Sequence, residues 1–123
     1  MVPFKIELKA GIPIYEQVVY AVKKAVAFGR LVPGDRLPSV RNLSQDLKIN
    51  PNTAQKAMSR LIHEKIVEVR PGIGCTVAAI PAAPAEQRAK ILETKIEELV
   101  VDAKQLGMNA KELAQAVQKQ WTK

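Results

Sequence analysis

The chain holds one cysteine and one histidine in 123 residues. A lone thiol, Cys75, closes no internal disulfide and builds no thiolate metal cluster, which fits a reducing cytoplasm and leaves redox chemistry unsupported. His63 has no partner set of nucleophile, acid and base, and no pair of His or Cys stands at metal-ligand spacing. The chain is therefore not read as an enzyme: no catalytic residue, metal or cofactor is expected. Long hydrophobic runs are also missing. The longest spans a few residues against the roughly 20 that cross a bilayer, and no charged-then-apolar leader opens the chain. A cytoplasmic protein without a membrane partner is the expectation.

What is present suffices for one compact core. Apolar residues make up 47% of the chain, and the formal charge is +7. The charge is unevenly placed: twelve of the nineteen Lys and Arg, but only six of the twelve Asp and Glu, precede residue 81. The first part is thus net +6 and the remainder net +1. Such an excess attracts phosphate polymers or acidic surfaces, although solvation alone would also account for it.

The stretch "IPAAPAEQ", Ile80 to Gln87, sets two prolines among alanines and divides the chain into residues 1–80 and 81–123. Before it, Ile14, Val18, Ala21, Ala25 and Phe28 recur at helical spacing up to a stop at Gly29. Ser39 then caps a short helix with Val40, Leu43 and Leu47 on one face. After a break at Lys48–Asn50, "NPNTAQKAM" starts a third helix. Asn50 is its N-cap and Pro51 its first turn, where proline sacrifices no hydrogen bond. This helix is expected to bury Ala54, Ala57, Met58, Leu61 and Ile62, and to leave Asn52, Gln55, Lys56, Ser59 and His63 outward. Val67 and Val69 then alternate with Glu68 and Arg70 ahead of a Pro71–Gly72 turn and "GCTVAA", the pattern of a hairpin. Helix, short helix, tight turn, helix and hairpin describe a winged helix-turn-helix, whose third helix enters a DNA major groove.

Beyond the hinge, Ala85, Ala89, Leu92, Ile96, Leu99, Ala103 and Leu106 are spaced alternately four and three, a heptad seam that Gly107 ends. "NAKE", Asn109 to Glu112, is a capping box for a last helix bearing Leu113, Ala114, Val117 and Trp121. The fold class is therefore mainly α with a small β wing, the winged helix-turn-helix being followed by a two-helix hairpin. Two such helices cover little surface alone. Their apolar stripes need the first domain or a second copy of the chain, and dimerisation through Leu92, Ile96, Leu99, Ala103, Leu106, Leu113, Val117 and Trp121 is the expectation.

Pro13 to Val77, most specifically "GRLVPGDRLPSVRNLS" and the "NPNT" that follows, resembles the DNA-binding domain of the GntR family of bacterial transcription regulators. The short two-helix tail resembles its YtrA-like subfamily. The resemblance implies a homodimer on the inverted-repeat operator of double-stranded DNA, a repressor's role and a transporter operon as target, with no effector assigned. It implies DNA contacts from Arg41, Asn50, Asn52, Thr53 and Gln55, and a wing-tip role for Gly72. Lys56 and Arg70 join them as exposed cations on the third helix and wing. The opening "FKIELKAGIPIYEQ" is similar too and implies a leading strand over Phe4–Leu8. Three positions depart from the family pattern: Pro51 where many relatives carry arginine, Lys48 where a turn glycine is common, and Asn42 where glutamate would complete a capping box with Ser39. Cys75 replaces a frequent threonine and reads as wing packing. The alternative function is a winged-helix module that binds proteins; it calls for acidic or apolar residues on the third helix, where Asn, Gln, Lys, Ser and His stand instead.

Overall fold

The structure, a computed structural model, describes residues 2–4, 6–79 and 82–123. Its elements run α1 (Ile14–Ala27), α2 (Val40–Leu47), α3 (Pro51–His63), β1 (Val67–Arg70), β2 (Gly74–Val77), α4 (Ala85–Gln105) and α5 (Ala110–Trp121). They fall into two compact units, Met1–Ile80 and Pro81–Lys123; Ile80 and Pro81, which begin the proline-alanine hinge, lie outside the described residues. No helix among the described residues is long and apolar enough to cross a membrane.

Within the first unit α3 packs against both α1 and α2 and touches β1. Its buried face is Ala54, Ala57, Met58 and Leu61, with Ile62 half-buried. The two alanines add no bulk at the crossings, so Val18 and Val22 of α1 and Leu43 of α2 join Met58 and Leu61 of α3 in one core. Each large side chain removed from water here contributes about 1.5–3 kcal/mol. The stripe of α1 differs from the expected one at its ends: Ile14 and Phe28 are 40% and 38% exposed, and Val19 and Val22 are buried instead. The outermost positions of the helix run past the cover that shields its middle.

Four helix ends share one construction. After α1, Gly29 N–H donates to Val26 O and Arg30 N–H to Ala25 O; after α4, Gly107 N–H donates to Lys104 O and Met108 N–H to Ala103 O. The same paired bonds close α2 through Lys48 and Ile49, and α3 through Lys65 and Ile66. These are Schellman endings, each turning the chain through one residue of positive φ.

The wing pairs Val67 with Val77, Glu68 with Thr76, Val69 with Cys75 and Arg70 with Gly74. The other edge of β2 takes residues 34–37: Gly34 N–H donates to Val77 O, Val77 N–H to Asp35 O and Leu37 N–H to Cys75 O. The period-two reading holds only at the base of the hairpin. Val67 and Val77 are buried, while Val69, on the same face, is 60% exposed because the hairpin has by then extended past the core.

The leading strand expected over Phe4–Leu8 does not form among the described residues. Gln17 takes up the backbone that follows: its Nε2 donates to Lys9 O and Ile12 O, both at 2.8 Å, and its Oε1 accepts from Lys9 N–H at 2.7 Å. The opening segment is thus fastened to α1 by an amide side chain, with Phe4 buried in the core, rather than laddered on a sheet edge.

In the second unit α4 and α5 follow the expected boundaries, and the Asn109–Glu112 capping box is present, with Glu112 N–H donating to Asn109 Oδ1 at 2.8 Å. Of its described residues only Ala103 is buried. Leu92, Ile96, Leu99, Leu106, Val117 and Trp121 are all exposed, and Leu113 is half-buried.

Candidate nucleic-acid interface

The polar end of α3 is built by its N-cap and its first residue. Asn50 Oδ1 accepts from Asn52 N–H at 2.8 Å, satisfying one of the orphan donors, and Pro51 removes another by having no N–H. The Asn50 oxygen is therefore engaged in the cap. Asn52, Gln55, Lys56, Ser59 and His63 are exposed, and Thr53 is half-buried. Asn52 and Gln55 stand three apart, so they project from one face of the first turns. Gln55 Nε2 donates to Ser59 Oγ at 3.1 Å, which ties that amide along the helix.

Arg41 lies in the first turn of α2, exposed; its backbone oxygen accepts from Ser44 Oγ at 2.9 Å, while its guanidinium makes no hydrogen bond or ion pair among the described residues. Ser39 Oγ caps the same turn by accepting from Asn42 N–H at 3.1 Å, and with asparagine at that third position the cap is one-sided. Lys48 adopts the left-handed conformation, φ 55°, that a glycine would take at the end of α2. The tight turn into α3 is made in spite of the lysine.

At the wing, Gly72 has φ +76° and open space where a Cβ would stand, so the backbone conformation, not crowding within the chain, calls for glycine. Arg70 is less available than its sequence position suggested, since its Nη2 and Nε both donate to Glu68 Oε1, at 2.8 and 3.2 Å. Arg36 serves the wing from outside it: Nη2 donates to Ile73 O at 2.7 Å and ties the wing tip to the segment before α2.

Sequence reasoning missed the seam between α1 and α3. Glu64 stands between Lys23, at 2.6 Å, and Arg60, at 2.8 Å. The hydrogen bond from Lys23, then that from Arg60, holds the Glu64 carboxyl below its ordinary range, and the Arg60 guanidinium is raised in return. One turn toward the start of α3, Lys56 Nζ lies 4.2 Å from the centre of the Tyr15 ring. No sequence signal joins Tyr15 to Lys56, because they lie 41 positions apart and only the packed fold brings them together. No group of three or more His, Cys, Asp or Glu among the described residues could hold a metal ion.

The family model described as "Bacterial regulatory proteins, gntR family" matches residues 14–77, the span from α1 through the wing. The chain is similar to the HTH-type transcriptional repressor YtrA of Bacillus subtilis (strain 168), 32% identical over 110 residues that make up 89% of this chain and 85% of the relative. Among solved structures it is similar to a transcriptional antiterminator from Listeria monocytogenes EGD-e, with TM-score 0.79 and 30% identity, covering 94% of this chain and 87% of that one. It is also similar to the AraR DNA-binding domain crystallised with operator ORE1, with TM-score 0.51 and 25% identity, covering 61% of this chain and 94% of that one.

Proposed function

The chain belongs to the gntR family of bacterial regulatory proteins, and from that premise we propose that it is a cytoplasmic, sequence-specific DNA-binding repressor, working as a homodimer on an inverted-repeat operator. Its relatives are named transcription regulators, not enzymes. The observation that carries the reading is the capped start of α3, from which Asn52, Gln55 and Lys56 project with no acidic residue in the first turn. Asparagine and glutamine match the N6/N7 edge of adenine in a major groove, and the Arg41 guanidinium matches O6/N7 of guanine. Gly72 at the wing tip presents bare backbone, and the net +6 of residues 1–80 supplies attraction to phosphates. Homodimerisation is supported by the exposed apolar seam of α4 and α5. The resemblance to YtrA-type regulators makes a transporter operon the target to look for first.

The test selects bound duplexes from a randomised library with the full chain, then compares the variants on the selected and a scrambled duplex. Asn52→Ala, Gln55→Ala and Arg41→Ala should each lower discrimination by about 1–3 kcal/mol, and Arg41→Ala should relax preference at one position per half-site. A library that yields no shared sequence, or discrimination unmoved by all three substitutions, would favour the protein-binding alternative.

A further inference from the structure

Of the cations on the α1–α3 seam, Lys23 and Arg60 share the one carboxylate of Glu64, which engages both and offsets one of their two charges. Lys56 is held differently. Its ammonium sits over the face of Tyr15, which attracts a cation through the ring quadrupole and carries no opposing charge. We propose that Tyr15 is a positioning residue for duplex binding: its ring fixes the Lys56 side chain at the flank of α3 with full charge, preset for a backbone phosphate beside the bases that Asn52 and Gln55 read. This rests on the DNA-binding reading above.

The physical argument is preorganisation. A free lysine stem surrenders rotamer freedom when it reaches a phosphate, a cost of the order of a few-fold to tenfold in affinity for each immobilised long side chain. Tyr15 is itself half-buried and packed against the core, so its ring is a fixed platform. Lys56 and Asn52 stand four apart and share a face of α3, which places the held ammonium one turn along the helix from Asn52. A carboxylate at the same place would orient the lysine equally well and cancel its charge; the ring orients without cancelling.

The experiment measures binding of the full chain to a random-sequence duplex and to a selected duplex over a salt series, for wild type, Tyr15→Phe, Tyr15→Leu, Lys56→Met and the Tyr15→Leu/Lys56→Met double variant. Tyr15→Leu should lose about three- to tenfold on both duplexes with the salt slope kept, because the charge remains. Tyr15→Phe should bind as wild type. Lys56→Met should reduce the slope of log affinity against log salt by about 0.9, and adding Tyr15→Leu to it should cost nothing more. Equal losses from Tyr15→Leu in both backgrounds, or none in either, would overturn the proposal while leaving DNA binding intact. A wild type that binds neither duplex at low salt would overturn both. A readout independent of the variants' stability is the ring-current upfield shift of the Lys56 ε-protons in the wild type. It should persist when duplex is added, and its disappearance would show that the ring holds the lysine back from DNA.

Discussion

Lys48 and Lys65 hold φ of 55° and 62°, the left-handed region in which Gly29 and Gly107 close the other two Schellman turns. For a residue with a Cβ that region costs about 1–2 kcal/mol, part of which glycine would return through its greater freedom in the unfolded chain. Lys65→Gly should therefore stabilise by about 0.5–1 kcal/mol, seen as a higher urea midpoint at unchanged slope. A lower midpoint would mean that the lysine stem contributes packing that outweighs the strain. Thr76 is a second such position. It is 2% exposed, and its Oγ1 has no hydrogen-bond partner among the described residues, so a buried hydroxyl is desolvated without return. Thr76→Val should raise stability by about 1 kcal/mol, and a fall would point to a partner for the hydroxyl. The sequence marked Gly29 and Gly107 as stops by residue type. It could mark Lys48 only through resemblance and Lys65 not at all, because a left-handed lysine has no compositional signature.

Helix caps were legible because their chemistry is local: Asn50 with Pro51, and Asn109 with Glu112, form within four residues of one another. Ion pairs between helices were not, since Lys23 and Glu64 meet only when α1 packs on α3. The same non-locality defeated the leading strand, which finds no sheet edge while Gln17 fastens the backbone just after it at Lys9 and Ile12, and the alternation at Val69, where the hairpin forms but the core ends. The Lys23–Glu64–Arg60 seam gives a pH dependence whose sign is fixed. Glu64 titrates lower folded than unfolded, so its contribution is present above the unfolded carboxyl value of about 4.3 and is lost as pH falls through the folded value. Glu64→Gln should lower the urea midpoint at pH 7, and the gap between variant and wild type should narrow as pH falls below the ordinary carboxyl range. A gap that stays constant across that range would assign the effect to packing of the Glu64 stem rather than to its charge.

At the scale of the whole molecule the heptad spacing was readable while its occupant was not: a stripe in sequence says that something covers it, not what. In the structure Leu92, Ile96 and Leu99 are 49%, 49% and 44% exposed, and Leu106 and Trp121 are 79% and 78% exposed, more apolar surface than isolated surface residues account for. A helix of 21 residues is about 31 Å long, and a second copy laid along it could bury the roughly 800 Å² per partner of an ordinary specific interface. The proposed function needs such a pairing, because one wing and one α3 read one half-site. Two half-sites bound by a linked pair gain a factor of about 10²–10⁴ over either alone, without any new contact to DNA. Ile96→Glu combined with Leu99→Glu places two carboxylates on each copy's seam, where burial would desolvate them beside their counterparts. The double variant should sediment as a monomer at micromolar concentration, keep its helical circular dichroism, and bind a single half-site as wild type does. Its affinity for the full inverted repeat should fall by that factor of about 10²–10⁴. A wild type that already sediments as a monomer at that concentration, or a variant that keeps full-operator affinity, would show that the tail does not join the two readers and that the seam serves another partner.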